Sequence, residues 1–184
     1  MLFGDLPITE MEVKEESVET LNEDNSEDID LSDSITKVLQ HPTVSSKSFL
    51  ITIGDRTVSG MVARDQLVGP YQVPVSDYSL SLRSYTSNNG EVLSIGEKPT
   101  IALINPAASM RMALGEALTN MSGVVIKGLN NVQVSANWMA ASGENSDDFA
   151  LRSGVEALSK IAVDLKVSIP VGKDSLSMIT KCSE

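Results

Sequence analysis

Glu116 and Asn120 stand four residues apart in "RMALGEALTN", a stretch otherwise crowded with Ala, Leu and Met. In a helix that spacing places a carboxylate and an amide on one face, one turn apart. Asn is a poor helix-interior residue, because its side chain competes for backbone hydrogen bonds. Three further polar groups interrupt apolar surroundings. Lys47 precedes "SFLITIG", Asp77 lies in "VPVSDYSL" after a Pro-rich loop, and Lys173, Asp174 and Ser175 form "GKDS" near the end. Two carboxylates and an amide are hard oxygen donors of the kind Mg²⁺ prefers, with water and phosphate completing the octahedron. A nearby lysine would neutralise that phosphate as a point charge. The other reading of Glu116 and Asn120 is a hydrogen-bonded pair on a helix surface, and the residues alone leave both open.

Other chemistries are poorly supplied. The chain has one histidine and one cysteine, so neither a zinc site nor a Cys-His nucleophile can be assembled within it. His41 precedes Pro42 and reads as a helix-end or surface residue. "VGKDS" is not a phosphate-binding Walker loop, since position 167 is Val where that loop needs Gly. Arg64, in "RDQ", either sits on a phosphate or pairs with Asp65.

These residues need elements to hold them. "SDSITKVLQHP" predicts a short helix with a Ser or Asp cap, stopped before Pro42. "KSFLITIG" (47–54) predicts a buried strand, because it is apolar, β-branched and ended by Gly. A short strand and an irregular loop follow, punctuated by Gly69, Pro70 and Pro74. "VSDYSLSLRSY" alternates as a half-exposed strand does, "SNNGE" signals a turn, and "EVLSIG" predicts a second strand. Pro106 suits the first turn of a helix running to about Met121. "NNVQVSANWMA" is strand-like, "SDDFALRSGVEALSKIAVDL" is amphipathic and helical, and "KVSIPVGKDSLSM" predicts a closing strand and loop. Strands alternating with helices indicate an α/β or α+β fold.

A chain of 184 residues suffices for one domain with a real core. Its net charge of −11 is unevenly placed: residues 1–35 hold twelve of the 25 acids against one base, Lys14, and the remainder is formally neutral. Residues 10–34 carry too little apolar area to offset ordering entropy and read as an acidic linker. No basic patch for nucleic acid, membrane-spanning run or secretory signal is visible. A lone cysteine, Cys182, fits a reducing compartment, so a cytoplasmic setting is expected.

The strings "HPTVSSKSFLITIGDRTVSGMVARDQLVGPYQVPVSDYSL", "GEVLSIGE", "RMALGEALTN", "SANWMAA" and "IPVGKDSLSM" together resemble phosphoribosylformylglycinamidine synthase of the large single-chain type, nearly continuously over residues 41–181. The resemblance implies the N-terminal half of that enzyme's second aminoimidazole-ribonucleotide-synthetase-like module. The fold implied is a mixed sheet packed by helices, half of a barrel completed by a pseudo-symmetric partner domain, with residues 1–40 as an acidic leader. The activity implied for the whole enzyme is the ATP- and glutamine-dependent conversion of formylglycinamide ribonucleotide to its amidine in purine biosynthesis. The ligands implied are Mg²⁺ on Asp77, Glu116 and Asn120, and ATP or ADP beside Ser76 and Lys47. The partners implied are the first synthetase module, the C-terminal half of the second module and the glutaminase domain. On this resemblance the chain is a fragment, inactive alone, and its nucleotide is either catalytic or a stabiliser of domain assembly. Asn105 departs from a common Asp, and Met110 from a common small residue.

Overall fold

Polar and apolar residues alternate between Tyr78 and Ser94, and in the computed structural model this stretch is an antiparallel hairpin. The structure describes residues 10, 12, 13, 30–57, 60–177, 179 and 180. Most of the acidic linker, and Cys182, therefore lie outside the described residues. The chain divides into two compact units. One holds residues 21–96 and 115–125, the other 1–20, 97–114 and 126–184.

In the first unit, helix α1 (Leu31–Gln40) covers the expected segment but starts just ahead of its expected cap. The Asp30 carboxylate caps it, accepting from Ser32 N at 2.9 Å. His41 closes it, with Nδ1 accepting from Thr43 N at 3.2 Å. Helix α2 (Ser48–Ile53) occupies the segment expected to be a buried strand. That expectation is corrected on both counts: the run is helical, and Phe49, Leu50 and Ile53 are exposed, Ile53 by 78%. A short apolar run carries no periodicity that separates strand from helix, so its partners decide. Here Thr52 Oγ1 donates to the Ser48 and Phe49 carbonyls at 3.3 and 3.1 Å, within its own helix.

Strand β1 (Val62–Arg64) pairs antiparallel with β2 (Tyr78–Leu82), with an irregularity between Val62 and Arg64. Strand β2 pairs with β3 (Gly90–Ser94) in the register Tyr78↔Ser94 to Leu82↔Gly90. A Cβ at position 90 would lie 2.5 Å from the Ser81 carbonyl oxygen, so Gly90 permits the close strand approach. The order is β1-β2-β3.

In the second unit, the short helix α3 (Pro99–Ala102) leads to α4 (Pro106–Asn120), whose last turns belong to the first unit. Asn105 caps α4: its Oδ1 accepts from Ala108 N at 2.9 Å, a bond that Asp would also make. Pro106 occupies the first turn, where a missing N–H costs nothing. Strands β4 (Gln133–Met139) and β5 (Ser168–Ser175) are parallel, Ser135↔Val171 through Met139↔Ser175. Parallel pairing requires a crossover, supplied by α5 (Asn145–Leu165). Gly154, Leu158 and Ala162, spaced by four, are its buried stripe, alongside buried Val132, Ala136 and Val167. A Cβ on Gly154 would meet Met110 Cγ at 2.9 Å, so small size there lets α5 approach α4. Lys166 ends α5 in the left-handed conformation at φ 58°, and Val167 N donates to the Ala162 carbonyl at 2.9 Å.

The fold is thus mixed α/β, as expected. Its strands lie in a three-stranded antiparallel sheet and a two-stranded parallel one, without a pairing that joins them among the described residues. No described helix is long and apolar enough to cross a membrane.

Candidate functional site

The loop between β1 and β2, residues 65–77, folds back on itself before it reaches the expected site residues. Val68 N donates to the Pro74 carbonyl at 2.8 Å, Leu67 and Val75 form an antiparallel bridge, and Ser76 N donates to the Gln66 carbonyl at 2.8 Å. Leu67 is buried beneath the loop. Gly69, at φ 77°, makes the reversal that its sequence position predicted.

A single arginine straps this loop. Arg56 Nη2 donates to Asp65 Oδ2 and to Gln72 Oε1, both at 2.6 Å. The other Asp65 oxygen accepts from Gln66 N at 2.8 Å. Gln72 adopts a left-handed φ of 55°, which places its amide within reach of the strap. Asp65 therefore pairs with Arg56, nine residues earlier, and not with its neighbour Arg64. Sequence reading missed Arg56, because no local spacing marks a pair that only the returning loop creates.

The loop delivers Ser76 and Asp77 to an open cleft of about 610 Å³, which Arg56, Arg64, Tyr78 and Asn120 also line. Ser76 Oγ donates to the Tyr78 carbonyl at 2.7 Å, which fixes the corner into β2. Asp77 is exposed and makes no hydrogen bond or ion pair among the described residues. The end of α4 is tied to β3 by two bonds. Ser94 Oγ donates to the Ala117 carbonyl at 2.6 Å, and Asn120 Nδ2 donates to the Ile95 carbonyl at 2.9 Å. With its nitrogen so engaged, Asn120 keeps its amide oxygen as the group available for a ligand. Beyond it, Gly123 leaves room for the Tyr78 ring, which a Cβ would approach to 3.0 Å.

The other expected residues are placed differently. Glu116 is half-buried one turn before Asn120, and it is not among the residues lining the cleft. Lys47 is exposed and donates to the Thr43 and Ser45 carbonyls, each at 3.0 Å. Lys173 belongs to the other unit, where its Nζ donates to Ser175 Oγ at 2.6 Å. No group of three or more His, Cys, Asp and Glu side chains is gathered for a metal among the described residues. Among the donors on the cleft, the Asp77 carboxylate and the Asn120 amide oxygen suit Mg²⁺, which takes few protein ligands and completes its shell with phosphate and water.

Arg64 lies over the Tyr78 ring, its guanidinium carbon 5.6 Å from the centroid. A family model described as the FGAR-AT PurM_N-like domain matches residues 46–184, which include every residue of this cleft.

Proposed function

Because the chain belongs to the FGAR-AT PurM_N-like domain family, we propose that it supplies a Mg²⁺–adenine nucleotide half-site to a phosphoribosylformylglycinamidine synthase. Membership of that family supports a role in that enzyme, in purine biosynthesis. The observation that carries the half-site is the meeting of Ser76, Asp77 and Asn120 on one cleft, although they come from a loop and a helix over forty residues apart in sequence.

In this reading Asp77 and the Asn120 amide oxygen hold the cation, and Ser76 lies beside the nucleotide. The half-buried Glu116 carboxylate is one helical turn from Asn120 and would join them. When bound, Mg²⁺ supplies positive charge to offset that of the phosphates. The chain's own part is placement: the strapped loop fixes Asp77, and the bond to Ile95 orients Asn120. The remaining donors and the ammonia-releasing chemistry belong to other domains of the enzyme.

Equilibrium binding of ADP tests the proposal. Wild-type chain is expected to bind ADP with Mg²⁺ and to lose that binding in EDTA. Asp77→Asn removes the charge at nearly constant size and is expected to weaken Mg²⁺-dependent binding by about tenfold or more. Equal affinity in the variant, or equal binding with and without Mg²⁺, would overturn it.

One observation favours a second reading, in which the nucleotide only stabilises domain assembly. The unit bearing the cleft leaves large apolar side chains in the open, Ile53, Tyr71 and Ile95 being exposed by 78, 87 and 73%. Surfaces of this kind suit covering by neighbouring domains.

A further inference from the structure

We infer that Arg64 is the cleft's phosphate-binding cation; the inference rests on the nucleotide reading above and adds to it a residue that discriminates phosphorylated from unphosphorylated ligand. Arg64 lines the same cleft as Ser76, Asp77 and Asn120. Its neighbour Asp65, the carboxylate expected to neutralise it, is taken by Arg56 at 2.6 Å. Among the described residues the Arg64 guanidinium has no carboxylate partner and no hydrogen bond; its one interaction is with the Tyr78 ring.

That contact shapes the side chain for anion binding. A cation–π contact restrains the group without using its N–H donors, so the fork stays available to two phosphate oxygens. The backbone is restrained too, since Arg64 sits on β1 opposite Leu80 of β2. The competing cations are committed elsewhere. Arg56 is tied to Asp65 and Gln72, and Lys47 to two backbone carbonyls. A guanidinium lining the same cleft as the Asp77 carboxylate gives that cleft the opposite charges that a Mg²⁺-bound phosphate needs: an anion for the metal and a cation for the oxygens the metal leaves uncovered.

The test compares ADP with adenosine, both in Mg²⁺, on wild-type, Arg64→Gln and Arg64→Lys chains. Arg64→Gln is expected to weaken ADP by about tenfold or more while adenosine changes by less than about twofold. Arg64→Lys, which keeps the charge and loses the fork, is expected to recover part of the loss. The salt dependence of ADP binding is expected to be shallower in Arg64→Gln than in wild type. Unchanged ADP affinity in Arg64→Gln, or an equal loss for ADP and adenosine, overturns the assignment. If Arg64→Gln lowers the melting temperature of the unliganded chain, the Arg64→Lys comparison decides by the same ratio. The two readings fail separately. Loss of ADP in Asp77→Asn but not in Arg64→Gln removes Arg64 alone, whereas a wild-type chain that binds no ADP removes the half-site and Arg64 with it.

Discussion

Arg56 shows how much of a site can hang on one side chain that holds a loop in place. Its two 2.6 Å bonds hold the start of the loop, Asp65, to Gln72 near its tip, where the loop would otherwise have only its own narrow backbone pairing. The Arg56–Asp65 pair is about a third exposed, with side chains at 34 and 39%, so its charge is partly screened. Its value lies in directed hydrogen bonds. Arg56→Ala is expected to cost ~1 kcal/mol in urea unfolding. It is also expected to speed hydrogen exchange at Val68 N and Ser76 N, the loop's internal donors, before global unfolding does. An unchanged exchange rate at those amides would show that the loop holds itself. Asp77 was legible from the chemistry of its type and its place after a Pro-rich loop. Arg56 was not, because its partners lie nine and sixteen residues away and meet it only in the folded chain.

At the scale of elements, two glycines with opposite surroundings separate backbone need from chance. Gly90 opens β3 where a Cβ would stand 2.5 Å from a backbone carbonyl, an atom that cannot swing aside. Gly90→Ala is expected to destabilise the chain by about 1–3 kcal/mol through overpacking. Gly115 sits inside α4 with nothing within 4 Å of its added Cβ. Gly115→Ala is expected to stabilise by about 0.5–1 kcal/mol, since Ala is the better helix former and loses less entropy. Urea midpoints of the two variants should move in opposite directions, and a shift of the same sign would sink the steric account. The elements themselves were mostly legible. The alternation in β2, the turn at "SNNGE", the Pro106 start of α4 and the amphipathic stripe of α5 are local patterns with local causes. Helix α2 was not, since "SFLITI" reads equally as strand or helix until its neighbours choose.

For the whole molecule, the open question of role is settled by separating stability from turnover. On the proposed half-site reading, Glu116→Ala in a complete synthase is expected to weaken nucleotide retention at this cleft by about tenfold or more in occupancy. Normal turnover per folded molecule with a lowered melting temperature would assign the nucleotide to assembly. Collapsed turnover at unchanged stability would assign it to catalysis. Retention of nucleotide by the variant would remove Glu116 from the ligand set. The acidic balance of the chain does not bear on this site. Twelve of the 25 acids fall in residues 1–35, and the cleft itself is lined by two arginines, Arg56 and Arg64, and two aspartates, Asp55 and Asp77.

The sequence by itself determined the order of most elements, because propensity, capping and periodicity act over a few residues, and its long matching strings carried the resemblance to the family. Only the tertiary structure decided which of the candidate site residues meet. Asp77 and Asn120 share a cleft because a loop folds back under Arg56 and a helix end is tied to β3. Asp65 goes to Arg56 and leaves Arg64 without a carboxylate. Those outcomes depend on contacts between distant segments, and no local pattern encodes which carboxylate an arginine will reach.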